Sequence, residues 1–281
     1  MVYLDELRRF IGTVQSLYQV RAAYHNFQHA LDVVQATFYI LVSSGILPPF
    51  EGTISSTSHL PHHTKFSPVS TLITPKHALA ALVAALGHDA GHPGVTNAFL
   101  IGAKSTLARI YNDRSVLESF HSVATLSLLL DLWPGLFLAD DVEESTDRFR
   151  QGGAGFRRVI ADVILSTDMG LHFEFMEKFE RLKTEVLEAA TGGESKDTAQ
   201  VLEKRRIMVL CMILKCADIS NVVCLLLVGS NFYIQMLITI LGTTICDITC
   251  MVRHATGGTA QSECVGRISR HAPAFYQCTY R

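Results

Sequence analysis

Ala84-Ala85-Leu86-Gly87-His88-Asp89-Ala90-Gly91-His92-Pro93-Gly94-Val95-Thr96-Asn97 decides how this chain is read. An apolar run from Ala78 to Leu86 feeds straight into His88-Asp89. That order predicts a buried helix that hands a nitrogen donor and an oxygen donor to its own end. His92 stands four residues after His88, so on a continuing helix both rings share a face. Pro93-Gly94 would then stop the helix. Two imidazoles and a carboxylate against an apolar wall are costly to bury unless a cation compensates, and a divalent metal does so. A plain helix C-terminus with two histidines near its carbonyls would produce the same letters. The partners of this stretch elsewhere in the chain decide between the two.

The whole chain has 281 residues, which suits one large helical domain or two small ones. Apolar residues make up 48% and charged residues only 18%, so material for a core is ample. A formal net charge of −2 gives no basic excess for nucleic acid and no acidic tail for disorder. The start, Met1-Val2-Tyr3-Leu4-Asp5-Glu6, has neither a positive flank nor a long apolar stretch, so no secretory signal is expected there. All seven cysteines, Cys211, Cys216, Cys224, Cys246, Cys250, Cys264 and Cys278, lie beyond residue 210. A disulfide scaffold would spread them through the fold, so a reducing, cytoplasmic setting is expected.

Apolar residues at helical period from Leu4 to Val20 predict a first amphipathic helix. Tyr24-His25-Asn26-Phe27-Gln28-His29-Ala30 follows, and a helix is expected through it to about Val42. His25 and His29 are four apart and would share a helical face. Two polar residues on a solvated face is the simpler alternative, weakened by Ala30, Leu31, Val33, Val34 and Phe38 around them. Pro48 to Pro75 is a Ser-, Thr-, Pro- and His-rich loop, whose His59, His62 and His63 are taken as solvated. Asn97 to Ala108 is expected to be helical, and Asp113 or Ser115 would cap a helix that carries Glu118 and His121. Asp140 to Gly155 holds a turn. Phe156 to Leu165 is a helix ending at Thr167-Asp168-Met169, and Leu171 to Ala190 is another. Thr191 to Gln200 is a polar connection. Val201 to Cys216 is a buried helix that ends by presenting Asp218.

Separate helices thus present His29, His88-Asp89 and Asp218 beside apolar walls. Two imidazoles and two carboxylates, completed by water, suit zinc or a similar divalent ion. Asp89 could bridge to a second, harder ion such as magnesium or manganese. His92, Glu118 and Thr167 could orient the waters of that ion. A hydroxide held between two metals fits in-line attack on phosphorus, and His25 could protonate the departing alkoxide as general acid. From the residues alone the chemistry is metal-assisted hydrolysis of a phosphate ester, with the substrate left open.

Five runs carry a resemblance: Tyr24-His25-Asn26-x-x-His29-Ala30, Gly87-His88-Asp89-x-x-His92-Pro93-Gly94-x-x-Asn97-x-Phe99, Tyr111-Asn112-Asp113-x-Ser115-Val116-Leu117-Glu118, Thr167-Asp168-Met169, and Cys216-Ala217-Asp218-Ile219-Ser220-Asn221. In order and spacing they resemble the class I 3′,5′-cyclic-nucleotide phosphodiesterases, and the intervening text looks most like the fungal high-affinity cAMP type. The resemblance implies an all-α, multi-helix HD-type bundle, a hydrolase of signal transduction that needs zinc and magnesium, with manganese an option at the second position. It implies zinc ligation by His29, His88, Asp89 and Asp218, with Asp89 shared with magnesium, and His25 as the acid. It implies that His92, Glu118, His121, Thr167 and Asp168 surround the metals, and that Tyr24, Met169 and Asn221 face the substrate. The reaction implied opens the cyclic phosphate of cAMP to give 5′-AMP.

The resemblance covers about 1–221, a partial catalytic domain without the family's C-terminal helices, and 222–281 reads as a divergent tail. Gln235, Gln261 and Gln277 do not stand where the family's purine-holding glutamine would. Three origins for the tail are compatible with its letters: an altered reading of the gene, a membrane span over Val222 to Cys246, or a small metal site of Cys246, Cys250 and His254. Ser, Asn, Gln and Thr within the span argue against a membrane. A truncated product that binds metal or a partner without catalysis is the alternative to an active hydrolase.

Overall fold

The structure is a computed structural model and describes residues 4–19, 22–48, 72–134, 136, 153–191 and 199–226. Its regular elements there are helices, with no strand among the described residues. In chain order they are α1 (Leu4–Leu17), α2 (Phe27–Ser43), α3 (Pro75–Gly87), α4 (Asn97–Gly102), α5 (Thr106–Ile110), α6 (Val116–Leu132), α7 (Gly153–Leu165), a single 3₁₀ turn (Met169–Leu171), α8 (His172–Thr191) and α9 (Ala199–Leu226). The all-α expectation therefore holds. Most of the loop from Pro48, with His59, His62 and His63, lies outside the described residues, as do Gln235, Gln261, Gln277, Cys246, Cys250 and His254.

Two compact units separate. One comprises Met1–Phe38, Leu79–Phe175 and Leu210–Asn221, and the other Tyr39–Ala78, Met176–Val209 and Val222–Arg281. In the first, α6 packs against both α7 and α1. Its buried apolar residues include Phe10 and Val14 of α1, Leu129 of α6, Ile160 and Ile164 of α7, and Leu210, Ile213 and Leu214 of α9. Phe10 meets Trp133 with ring centroids 6.2 Å apart. In the second unit, Leu41, Ile73 and Phe179 are fully buried. There His77 bonds Thr74 and Glu203, and Arg206 bonds both Glu203 and the Leu72 carbonyl.

Several helix ends differ from the sequence expectations. The helix expected over Asn97 to Ala108 is broken into α4 and α5 at Ala103-Lys104-Ser105, where Lys104 has φ 52°. Ser105 caps the second piece, its Oγ accepting from the Ala108 N–H. Ser115 does precede α6, but it sits in the left-handed region (φ 40°) and makes no side-chain cap bond. Its hydroxyl donates to Asp168 instead, at 2.7 Å. The last helix runs ten residues past the Cys216 end expected for it, through Asp218 to Leu226. The segment Cys216-Ala217-Asp218-Ile219-Ser220-Asn221 has neither Pro nor Gly to stop it. The Ser220 hydroxyl folds back on the Ala217 carbonyl (2.7 Å) rather than competing for a turn.

Candidate metal centre

α3 ends at Gly87, so His88 and His92 do not share a helical face as the spacing suggested. The reason lies in its last carbonyls, which a helix leaves without internal partners. Here side chains take three of them in succession. The Ala85 carbonyl accepts from His88 Nδ1 (2.8 Å), the Leu86 carbonyl from the Tyr18 hydroxyl (2.8 Å) and the Gly87 carbonyl from Thr125 Oγ1 (3.0 Å). The chain then turns through Gly91 at φ 78°, where an added Cβ would strike the Phe120 ring. His92 comes out on an irregular segment whose Gly94 N–H donates to its Nδ1 (2.9 Å).

His25 is likewise not on a helix, because α2 starts at Phe27. Asn26 provides the start, its Oδ1 accepting the backbone N–H of His29 at 3.1 Å. That places His29 in the first turn of α2, while His25 lies on the approach with its ring stacked on His92 (centroids 3.9 Å, 12° between planes). Asp218, expected just past a helix end, projects from the interior of α9.

Within this first unit the donor atoms converge. His29 Nε2 lies 3.1 Å from Asp218 Oδ1, 3.6 Å from Asp89 Oδ2 and 3.3 Å from His88 Nε2. His88 Nε2 lies 3.3 Å from both Asp89 Oδ2 and Asp218 Oδ1. A carbonyl only accepts, so the His88 proton bound to Ala85 sits on Nδ1. Neutral His88 would aim an Nε2 lone pair at two carboxylates and at a second imidazole. Such a cluster calls for a positive charge, either a second proton on His88 or a divalent cation, and a nitrogen and oxygen set of this kind takes the cation. The residues fit the metal that their chemistry suggests.

The electrostatics follow from the same crowding. Burial pushes the His88 pKa down, but Asp89 and Asp218 reverse that and hold it well above the ordinary imidazole value. Burial works to raise the Asp89 carboxyl, yet His88 beside it holds it well below the usual carboxylate range. The same balance, with a bond from His29 added, lowers Asp218. Burial, with His25 alongside, pushes His92 down to about 4. Burial does the same to His121, also to about 4.

The other expected residues stand as follows. A further set, His25, Asp89 and His92, brings one ligand atom each within 4.8 Å of one another. Tyr24 has its ring 4.4 Å from that of His29, and burial followed by Asp218 and Asp89 raises its phenol. Glu118 accepts from the Asn97 amide through both oxygens, at 2.9 and 3.3 Å, and burial raises its pKa. Thr167 spends its hydroxyl proton on the Ile164 carbonyl (2.8 Å), so its oxygen has only acceptor capacity left. Asp168 accepts from Ser115 and from the Gly170 N–H. Met169 is 56% exposed. Asn221 lies on α9, and its side chain is outside the described residues.

Residues that the sequence did not single out complete the frame: Tyr18 and Thr125, as above, and Lys215, whose ammonium donates to the Ser166 carbonyl at 2.6 Å. None of these contacts is local, so no spacing rule reveals them; only the helical period of Leu4 to Val20 and of α6 hints that Tyr18 and Thr125 face inward.

The profile of the 3′5′-cyclic nucleotide phosphodiesterase family matches residues 24–231. The chain belongs to this family. A probable 3′,5′-cyclic phosphodiesterase of Caenorhabditis elegans, pde-6, is 33% identical over 77% of this chain and 23% of its own length. The human high affinity cAMP-specific and IBMX-insensitive 3′,5′-cyclic phosphodiesterase 8A is 31% identical over 76% of this chain and 23% of its own length. The crystal structure of yeast caPDE2 in complex with IBMX superposes with a TM-score of 0.62 at 29% identity, covering 98% of this chain and 51% of that one. The chain thus spans about a quarter of the length of the curated relatives it matches.

Proposed function

We propose that this chain hydrolyses a 3′,5′-cyclic nucleotide, with cAMP favoured, to the 5′-monophosphate. The observation that carries the proposal is that His29 Nε2 and His88 Nε2 lie 3.1–3.6 Å from each other and from carboxylate oxygens of Asp89 and Asp218 in a buried position. Family membership and the cAMP named for the human relative support the substrate. In this proposal those four residues hold zinc, and Asp89 shares a second ion, magnesium or manganese. Bound there, the two ions supply an activated water and positive charge for the phosphate.

The chain's own residues do the rest. Water adds to phosphorus, the bond from phosphorus to the 3′ oxygen breaks, and that oxygen takes a proton from His25. The stack on His92 orients the His25 ring for this, and burial keeps His92 neutral so that it does not repel a protonated neighbour. Glu118, His121, Thr167 and Asp168 orient water around the ions. Tyr24, Met169 and Asn221 contact the nucleotide. Residues 1–221 act as the partial catalytic domain and 222–281 as a tail outside it. Cys211 and Cys216 are free thiols, in keeping with a cytoplasmic setting, and no described helix is long and apolar enough to cross a membrane.

The test is release of 5′-AMP from cAMP by the full chain with zinc and magnesium present. Because the chain spans only a quarter of its relatives, a second proposal stands beside the first: a product that binds metal or a partner without turnover. Bound metal without cAMP affinity would select it.

A further inference from the structure

Asn112, Asp113 and Ser115, within one short turn, have φ of 53°, 61° and 40°. Asn and Asp visit the left-handed region readily, because their short polar side chains bond locally, but serine does so at a cost. Ser115 also stands where a serine ordinarily caps the helix that follows, yet its side chain makes no cap bond to α6. The Leu117 N–H at the head of α6 is served instead by Asn97 Oδ1, at 2.9 Å. The hydroxyl is therefore spare at its own helix. It donates at 2.7 Å to Asp168 Oδ2, 53 residues away, and a strained backbone held for a distant contact marks a functional device.

Asp168 is buried, and its two oxygens do different things. Oδ2 takes the Ser115 proton. Oδ1 accepts the Gly170 N–H at 2.8 Å and so caps the 3₁₀ turn Met169–Leu171. The fit is close, since a Cβ at Gly170 would come within 3.0 Å of Oδ1. A carboxylate is planar, so holding Oδ2 fixes where Oδ1 points. Upstream, Lys215 Nζ holds the Ser166 carbonyl at 2.6 Å, and the Thr167 hydroxyl holds the Ile164 carbonyl at 2.8 Å. The segment is thus fastened by α9 before Asp168 and by Ser115 at Asp168. Met169, assigned above to contact the nucleotide, opens the turn that this carboxylate caps.

We propose that Ser115 is a positioning residue for the substrate: through Asp168 it sets the turn that carries Met169, and with it the wall that the nucleotide meets. Ser115 itself touches neither metal nor substrate. The substrate half of this inference rests on the hydrolase reading above, whereas the coupling of Ser115 to the turn does not.

The test compares the full chain with Ser115→Ala and Ser115→Gly, zinc and magnesium present. Both variants lose the hydroxyl, and glycine also accepts φ 40° without strain. By NMR, the Gly170 amide should exchange its hydrogen about 10-fold faster in both variants, while the Leu117 amide, held by Asn97, keeps its rate. KM for cAMP should rise about 10-fold, with kcat within about 3-fold and metal content unchanged. A serine that served stability alone would behave otherwise: the glycine variant, relieved of strain, would keep the wild-type KM. That result overturns the inference, as does wild-type exchange at Gly170. If the alanine variant does not fold, the glycine variant decides alone. A wild type that neither binds nor hydrolyses cAMP sinks the hydrolase reading and the substrate half together, while exchange at Gly170 still judges whether Ser115 sets the turn.

Discussion

Replacing Gly87 by alanine tests whether the end of α3 is set by its neighbour on α6. An added Cβ would meet Thr125 Oγ1 in a hard clash, with Cγ2 at 2.5 Å and Cβ at 2.9 Å. Thr125 is fully buried, and its hydroxyl bonds the Gly87 carbonyl, so it has no free rotamer to retreat to. Alanine in a helix is worth about 1 kcal/mol over glycine, which opposes the effect. Overpacking costs about 1–3 kcal/mol, and losing the Thr125 bond costs about 0.5–1.5 kcal/mol more, since the Ala90 N–H still serves the Gly87 carbonyl. The net expectation is a loss of about 0.5–3.5 kcal/mol. Urea denaturation followed by circular dichroism, with chelator present, measures it free of metal linkage. Adding Thr125→Ala removes the two closest atoms, so the double variant should lose about 1–2 kcal/mol less than the sum of the single variants. Because His88 follows directly, Gly87→Ala should also weaken zinc binding. A single variant within about 0.5 kcal/mol of wild type would refute the assignment of the helix end to this packing.

Three other outcomes are expected. Asp218→Ala should abolish tight metal binding, while His25→Ala keeps the metal and slows hydrolysis about 10²–10⁴-fold; metal analysis with 5′-AMP release distinguishes the two, and equal metal loss in both would contradict the roles. For the metal-free chain, the raised His88 pKa contributes stability that is full below the ordinary imidazole value and lost as pH rises through the folded value. The lowered Asp89 and Asp218 contribute stability present above the ordinary carboxylate value and lost as pH falls. His92 and His121, held near 4 by burial, cost stability as pH falls below the ordinary imidazole value, so stability with chelator should peak near about pH 6.5, whereas zinc affinity should rise with pH as His88 gives up its proton; zinc affinity that is flat in pH would argue against His88 as a ligand. Cys211 and Cys216, both pushed up to about 12 by burial, should resist iodoacetamide at pH 8 in the folded chain and react once it is unfolded, which peptide mapping by mass spectrometry reads out.

Much of the centre was legible before any coordinates. His29, His88, Asp89 and Asp218 each stand beside an apolar run, and a polar donor placed there demands a reason that can be read in one dimension. The register of the helices was legible for the same cause, since burying one face imposes a period of its own. Ser115 was harder: its letter suggested a cap, and only its left-handed backbone and the reach to Asp168, 53 residues away, show that the hydroxyl is used elsewhere.

By itself the sequence determined that the protein is helical and which side chains are candidates to hold a metal, because both follow from local patterns of apolar and ligating residues. Tertiary structure alone decided where the helices stop and which ring nitrogen keeps its proton. Those outcomes depend on partners far along the chain. Tyr18 and Thr125 end α3 before His88 by taking its last carbonyls, and the Ala85, Gly94 and Ala90 backbone sets the tautomers of His88, His92 and His121. A carbonyl or N–H that meets a side chain only after folding leaves no mark in the order of the residues.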